Sequence, residues 1–159
     1  MIMQGKEIHL GEKAYLIGRV DVFDQLAFAS DFRDILMALA FLKEKRTSKV
    51  TDEAFGESIE FIVTGGLRSI PEDKRDYLVR KCLSQVERKE GIAFAPILNA
   101  KGGPQYADID LPVIIRLLYE FFDHNGLLDF FFARQSSSGE TAKSTGQHSP
   151  KEKAGSSRR

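Results

Sequence analysis

The chain has little of what most chemistry needs. Cys82 is its only cysteine, and three histidines stand in 159 residues. A single cysteine closes no intramolecular disulfide, so nothing ties the chain to an oxidising compartment. One Cys and the scattered His9, His124 and His148 have no zinc-ligand spacing. Tryptophan is absent, which leaves twelve phenylalanines as the main bulky apolar residue. No apolar run approaches the roughly 20 residues of a membrane-spanning helix. The opening "MIMQGKEIHLGEK" lacks a basic stretch followed by an apolar one, so no signal peptide is expected either. Cytoplasm is the default location.

Net charge is also absent, with 23 Lys/Arg against 23 Asp/Glu, but the signs are unevenly spread. Residues 134–159 carry six basic and two acidic side chains, a net +4, so residues 1–133 carry −4. A weakly acidic body lacks the clustered cations that phosphate contacts need, so neither nucleic acid nor membrane is expected as a partner.

What is present suits one globular domain: 42% apolar and 29% charged residues in a chain long enough to bury a core. "EIHL" and "AYLIGRV" alternate around Gly11-Glu12, the pattern of a β-hairpin with a two-residue Gly-X turn. From Asp21 the period changes. Val22, Leu26, Ala29, Phe32, Leu36 and Leu39 recur at three- and four-residue steps, predicting one amphipathic helix to about Leu42. Thr51 or Asp52 is placed to cap a second helix with Phe55, Ile59, Ile62 and Val63, closed by a left-handed turn at Gly65-Gly66.

Ser69, Pro71 and Glu72 have capping-box spacing for a third helix. Its stripe is Tyr77, Leu78, Cys82 and Val86, and Gly91 stops it. "IAFAPILNAKGGPQYADI" has no period, and its Pro and Gly break helix and strand alike. Asp110 is then the cap of "LPVIIRLLYEFF", whose wide apolar arc predicts a central helix. "LLDFFFA" is a short last helix or a turn. Residues 134–159 have no aromatic residue and only two alanines as apolar residues, so they are expected to be disordered. The fold expected is mainly α: four to five helices with an N-terminal β-hairpin in a domain over residues 1–133, then a disordered basic tail.

The search for chemistry finds no assembled site. His9 reads as a surface residue of the hairpin, and His124 as a donor at a helix C-terminus. Cys82 lies within an apolar stripe, where cysteine is an inert small hydrophobe. Asp108, Asp110 and Asp123 have a spacing that could hold Mg²⁺, but capping and helix-end electrostatics explain Asp110 and Asp108 more simply. "TGGLRS" and "NAKGGPQ" lack the Gly-Lys-Ser/Thr ending of a phosphate loop. No catalytic residue, metal or cofactor is assigned.

One feature strains a purely structural reading. Phe130, Phe131 and Phe132 are consecutive, and on a helix they span about 200°. A single buried face cannot hold all three. Either the segment is inserted in a core or a ring meets a partner. Phe121-Phe122 poses a milder form of the same question.

The order of segments resembles the tail assembly chaperones of tailed phages. "GEKAYLIGRVDVFDQLAFASDF" is similar to that family's opening, with Tyr15, Ile17, Gly18, Arg19, Val20, Asp21, Phe23 and Gln25 in the pattern. "CLSQVERKEGIAFAPILNA" resembles its middle segment, and "YADIDLPVIIRLLYEFFDHNGLLDFF" its acidic turn and last long helix. The resemblance covers roughly Lys6 to Phe132. It departs where relatives often have Trp, with Phe94 standing near, and in the tail after Arg134.

The resemblance implies a non-enzymatic protein of the host bacterial cytoplasm, absent from the mature virion. Its partners would be the tape measure protein, the tail tube protein and a second copy of the chain. Many relatives also have a longer form made by ribosomal frameshifting. Phe121, Phe122, Phe130, Phe131 and Phe132 are the partner-binding residues this reading nominates. The rival reading is a structural minor tail or head–tail connector protein.

Overall fold

A computed structural model describes residues 4–46, 56 and 60–137. Strands β1 (Lys6–Leu10) and β2 (Lys13–Ile17) form the expected hairpin, with Ile8 opposite Tyr15 and Leu10 opposite Lys13. Helices α1 (Val22–Asp31) and α2 (Arg33–Arg46) follow. A π-helical turn (Ile62–Gly66) and a 3₁₀ turn (Leu67–Ser69) lead to α3 (Glu72–Leu83). Strands β3 (Val86–Glu90) and β4 (Ala93–Pro96) make a second hairpin. Helices α4 (Leu111–His124) and α5 (Leu127–Ser137) complete the described chain.

The expectation of a mainly α domain is corrected by the second hairpin. All four strands form one antiparallel sheet in the order β1-β2-β3-β4, so the domain is mixed α and β. Val86 and Gly91 therefore do not extend α3, which stops at Leu83. The physical reason lies in β3, "VERKE", which has no apolar alternation to betray it. Its inward-facing residue after Val86 is Arg88, buried and opposite Tyr15. Gly91 supplies a positive φ of 63° for a two-residue turn, the same device as Gly11 at 61°.

Three further expectations change. The helix from Asp21 is interrupted at Phe32, whose φ of −108° and ψ of 20° close α1. Gly65 and Gly66 make no left-handed cap, since neither has a positive φ. Gly66 is instead required by close approach: a Cβ there would lie 2.9 Å from Cγ1 of Ile35 on α2. The Ser69 capping box also does not form. Its hydroxyl donates to the Gly66 carbonyl at 2.8 Å, and Pro71 precedes the helix without a side-chain cap. Thr51, Asp52, Phe55 and Ile59 lie outside the described residues. The expected boundary at Ala133 falls inside α5, and the tail beyond Ser137 lies outside the described residues.

Helix α4 is central, as its wide apolar arc predicts. Seven of its residues are buried, among them Phe121 and Phe122. Their rings meet Phe28 of α1 at centroid distances of 5.7 and 6.1 Å, and Phe122 meets Phe32 at 5.8 Å. These tilted and edge-on contacts are the favoured aromatic geometry. Helix α2 packs along α5, and α3 packs on α4. Among the described residues no helix is long and apolar enough to cross a membrane.

The segment between β4 and α4 is held by short-range chemistry. Asn99 Oδ1 accepts from the N–H groups of Lys101 and Gly103 at 2.9 and 3.1 Å, tightening the Gly-Gly turn. Arg80 of α3 donates to the Gly102 carbonyl. Arg88 reaches across to Asp108 at 2.7 Å, and its guanidinium lies 4.3 Å from the Tyr106 ring centre. That strap delivers Asp110, whose carboxylate accepts from the Val113 N–H at 3.1 Å and starts α4.

Candidate functional site

The residues with catalytic potential are dispersed or already engaged. His9 is exposed and pairs with Glu7 at 3.6 Å. His124 Nε2 lies 3.5 Å from the Gln4 carbonyl. Burial pushes the Cys82 thiol well above its ordinary pKa, so it stays protonated and unreactive.

The three aspartates serve three different partners. The hydrogen bond from Arg88 holds the Asp108 carboxyl below its usual range. Asp110 caps α4, and Asp123 pairs with Lys43 at 2.5 Å. Burial alone would lower the pKa of Lys43, but its hydrogen bonds to Asp123 and Asp129 outweigh that and raise it. Among the described residues no three His, Cys, Asp or Glu converge as a metal site.

The motif that carries the family resemblance is a structural joint. Asp21 caps α1, accepting from the N–H groups of Phe23 and Asp24 at 2.9 Å each. Gln25 donates to the Val20 carbonyl at 3.0 Å. The buried Asn125, at the end of α4, accepts from Val20 N–H and donates to the Gly18 and Phe121 carbonyls. These bonds satisfy the backbone where the sheet hands over to the helices.

What the surface offers is apolar. The nominated phenylalanines separate: Phe121 and Phe122 are fully buried, Phe131 is buried, and Phe130 is 52% exposed. For Phe132 the backbone is helical. Phe121 and Phe122 thus hold α4 in place, and among the described side chains of the set Phe130 is the exposed one.

Sequence periodicity missed a larger feature. Val22, Phe23 and Leu26 on α1 are 67%, 78% and 67% exposed. At helical spacing these three share one arc of about 100°. Val22 and Leu26 fit the expected buried stripe only if the helix ran straight through Phe32. Instead Phe28 and Phe32, an i,i+4 pair, turn inward, and that pair was the signal for the true inner face.

A second apolar feature is an open groove of about 260 Å³ between α3 and α4. Val79 and Leu83 form one wall, Leu111, Ile114 and Leu118 the other, and Leu98 lies at one end. Arg75, Asp76 and Arg80 stand along the α3 side.

Comparison with characterised proteins and with solved structures returns no match. A family model does match, over residues 11–139, and its description is phage tail assembly chaperone protein, TAC. That span takes in β2, the second hairpin, the five described helices up to the end of α5, and the Asp21–Gln25 joint. The chain belongs to the phage tail assembly chaperone (TAC) family.

Proposed function

We propose that this chaperone binds the tape measure protein of its phage, keeps it soluble, and helps recruit tail tube subunits to it during tail morphogenesis. The observation that carries this reading is the family match over residues 11–139. The work takes place in the host cytoplasm, and the chaperone leaves before the virion is complete. It is a binding role and needs no catalytic group.

The physical logic is that of a helix in a groove. A tape measure protein presents long apolar helical faces before the tube encloses them. A rigid partner with outward apolar side chains covers such faces reversibly. Phe130, half exposed on α5 and edge-on to the buried Phe131 at 5.3 Å, is the nominated contact on this chain. Phe132 follows it on the same helix.

Co-expression with the tape measure protein from the same genome, followed by size-exclusion chromatography, tests the reading. The expected result is a soluble tape measure protein that co-elutes with this chain. A tape measure protein that precipitates equally with and without it would rule the client out. Abundant chain in purified virions would favour the structural-component reading instead.

A further inference from the structure

The turn around Gly102 is braced from within. Asn99 N–H donates to the Gly103 carbonyl and Gly102 N–H to the Asn99 carbonyl, each at 2.8 Å. The Asn99 side chain accepts from Lys101 and Gly103 as well. At the base of the turn Leu98 pairs with Pro104, and Gln105 N–H donates to the carbonyl of the buried Ile97. Residues 98–104 are thus one stiff unit on a fixed base. Among the described residues, the hydrogen bond that reaches this unit from another element is the one Arg80 of α3 donates to the Gly102 carbonyl. Gly102 suits that contact, because its φ is 76° and a Cβ there would lie 3.1 Å from Arg80 Nη1.

The unit also forms one end of the groove between α3 and α4, which Leu98, Gly102 and Pro104 line. Arg80 stands where this wall meets α3, and it has a second acceptor on its own helix. Asp76 lies four residues earlier on the same rim, the spacing at which side chains on one helix face meet. Arg75 Nε lies 3.3 Å from Asp76 in an exposed pair, which leaves the acid easy to share. A guanidinium bonds a carboxylate more strongly than a peptide carbonyl, and water at an exposed site narrows that difference. Arg80 therefore has two resting places close in free energy.

We propose that residues 98–104 are a flap at the end of the α3–α4 groove and that Arg80 is its latch, closed on Gly102 and released to Asp76. With the latch closed, the flap keeps the apolar lining at this end of the groove from water. With Arg80 on Asp76, the flap lifts as a unit about its base and the groove lengthens. The device acts on the exposure of apolar surface and stands independently of which tail protein is the client.

Nile red fluorescence on the full chain alone, with amide exchange at Lys101, Gly102 and Gly103 followed by NMR, tests it. Arg80→Met keeps the side-chain stem and removes the donor, so dye uptake should rise about fivefold. The three amides should keep their wild-type exchange, because the bonds that protect Lys101, Gly102 and Gly103 lie inside the flap. Asp76→Asn removes the resting place of the open state and should lower dye uptake below that of the wild type. Circular dichroism checks folding, and Arg80→Ser serves should Arg80→Met unfold.

A folded Arg80 variant that takes up no more dye than the wild type overturns the proposal. So does a rise accompanied by fast exchange at the three amides, since the turn would then be melting rather than lifting. Dye uptake by Asp76→Asn equal to or above that of the wild type would remove Asp76 as the second acceptor and overturn the latch.

Discussion

Phe121-Phe122 and Phe130-Phe131 are neighbouring pairs of one residue type on successive helices, yet they meet different surroundings. Both rings of the first pair are fully buried, whereas Phe130 of the second is half exposed. Helix α4 has α3 on one flank, β2 beneath it and the Phe28 ring against it, so its Phe121 and Phe122 are covered. Among the described residues helix α5 has α2 and α4 as its main neighbours, and Phe130 stays half exposed. An apolar run becomes core only where other elements surround it. Where they do not, the same side chains become surface on which another protein can act.

Substitutions on the two sides should separate folding from binding. The largest effect on stability is expected at Phe122→Ala, which removes a ring touching Phe28, Phe32 and Phe121. Urea denaturation should show a loss of about 3–5 kcal/mol. Gly66→Val comes next. Its Cβ would start 2.9 Å from Ile35 Cγ1, and the overpacking should cost about 1–3 kcal/mol in the same assay.

Asp108→Asn has a smaller effect at neutral pH, because Asp108 sits on the surface where solvent screens its pairing with Arg88. Its sign with pH is definite. The folded carboxyl has a depressed pKa, so its contribution is present above the unfolded pKa and is lost as pH falls through the folded one. The difference between wild type and Asp108→Asn, read from urea midpoints, should shrink as the solution is acidified. The smallest change in stability is expected for Phe130→Ser, within about 1 kcal/mol. That variant should keep its melting curve and retain less tape measure protein on co-purification.

Much of the fold was legible where chemistry and periodicity agree. The first hairpin showed through Ile8, Tyr15 and Ile17, the α4 cap through Asp110, and the central helix through its apolar arc. The second hairpin was hidden because β3 places a charged residue inward. Arg88 is tolerated there by Asp108 and Tyr106, which the chain supplies only after the Gly-Gly turn, beyond any local window. Gly91-Ile92 repeats the turn chemistry of Gly11-Glu12, but charged flanks masked it.

The partner surface was legible in part. The crowded phenylalanines pointed to the α4–α5 region, yet burial there depends on neighbours that no local pattern reveals. The α1 stripe was misassigned because Val22 and Leu26 keep phase with Phe32 and Leu36 in a straight helix. Phe32 closes α1 and takes that phase away.

Hydrogen–deuterium exchange on the chain, alone and co-purified with the tape measure protein, tests the central claim that a folded domain binds its client through outward apolar side chains. The account predicts new protection over α5, around Phe130, with α4 equally protected in both states. Unchanged exchange over α5, or loss of protection in α4 on binding, would contradict it.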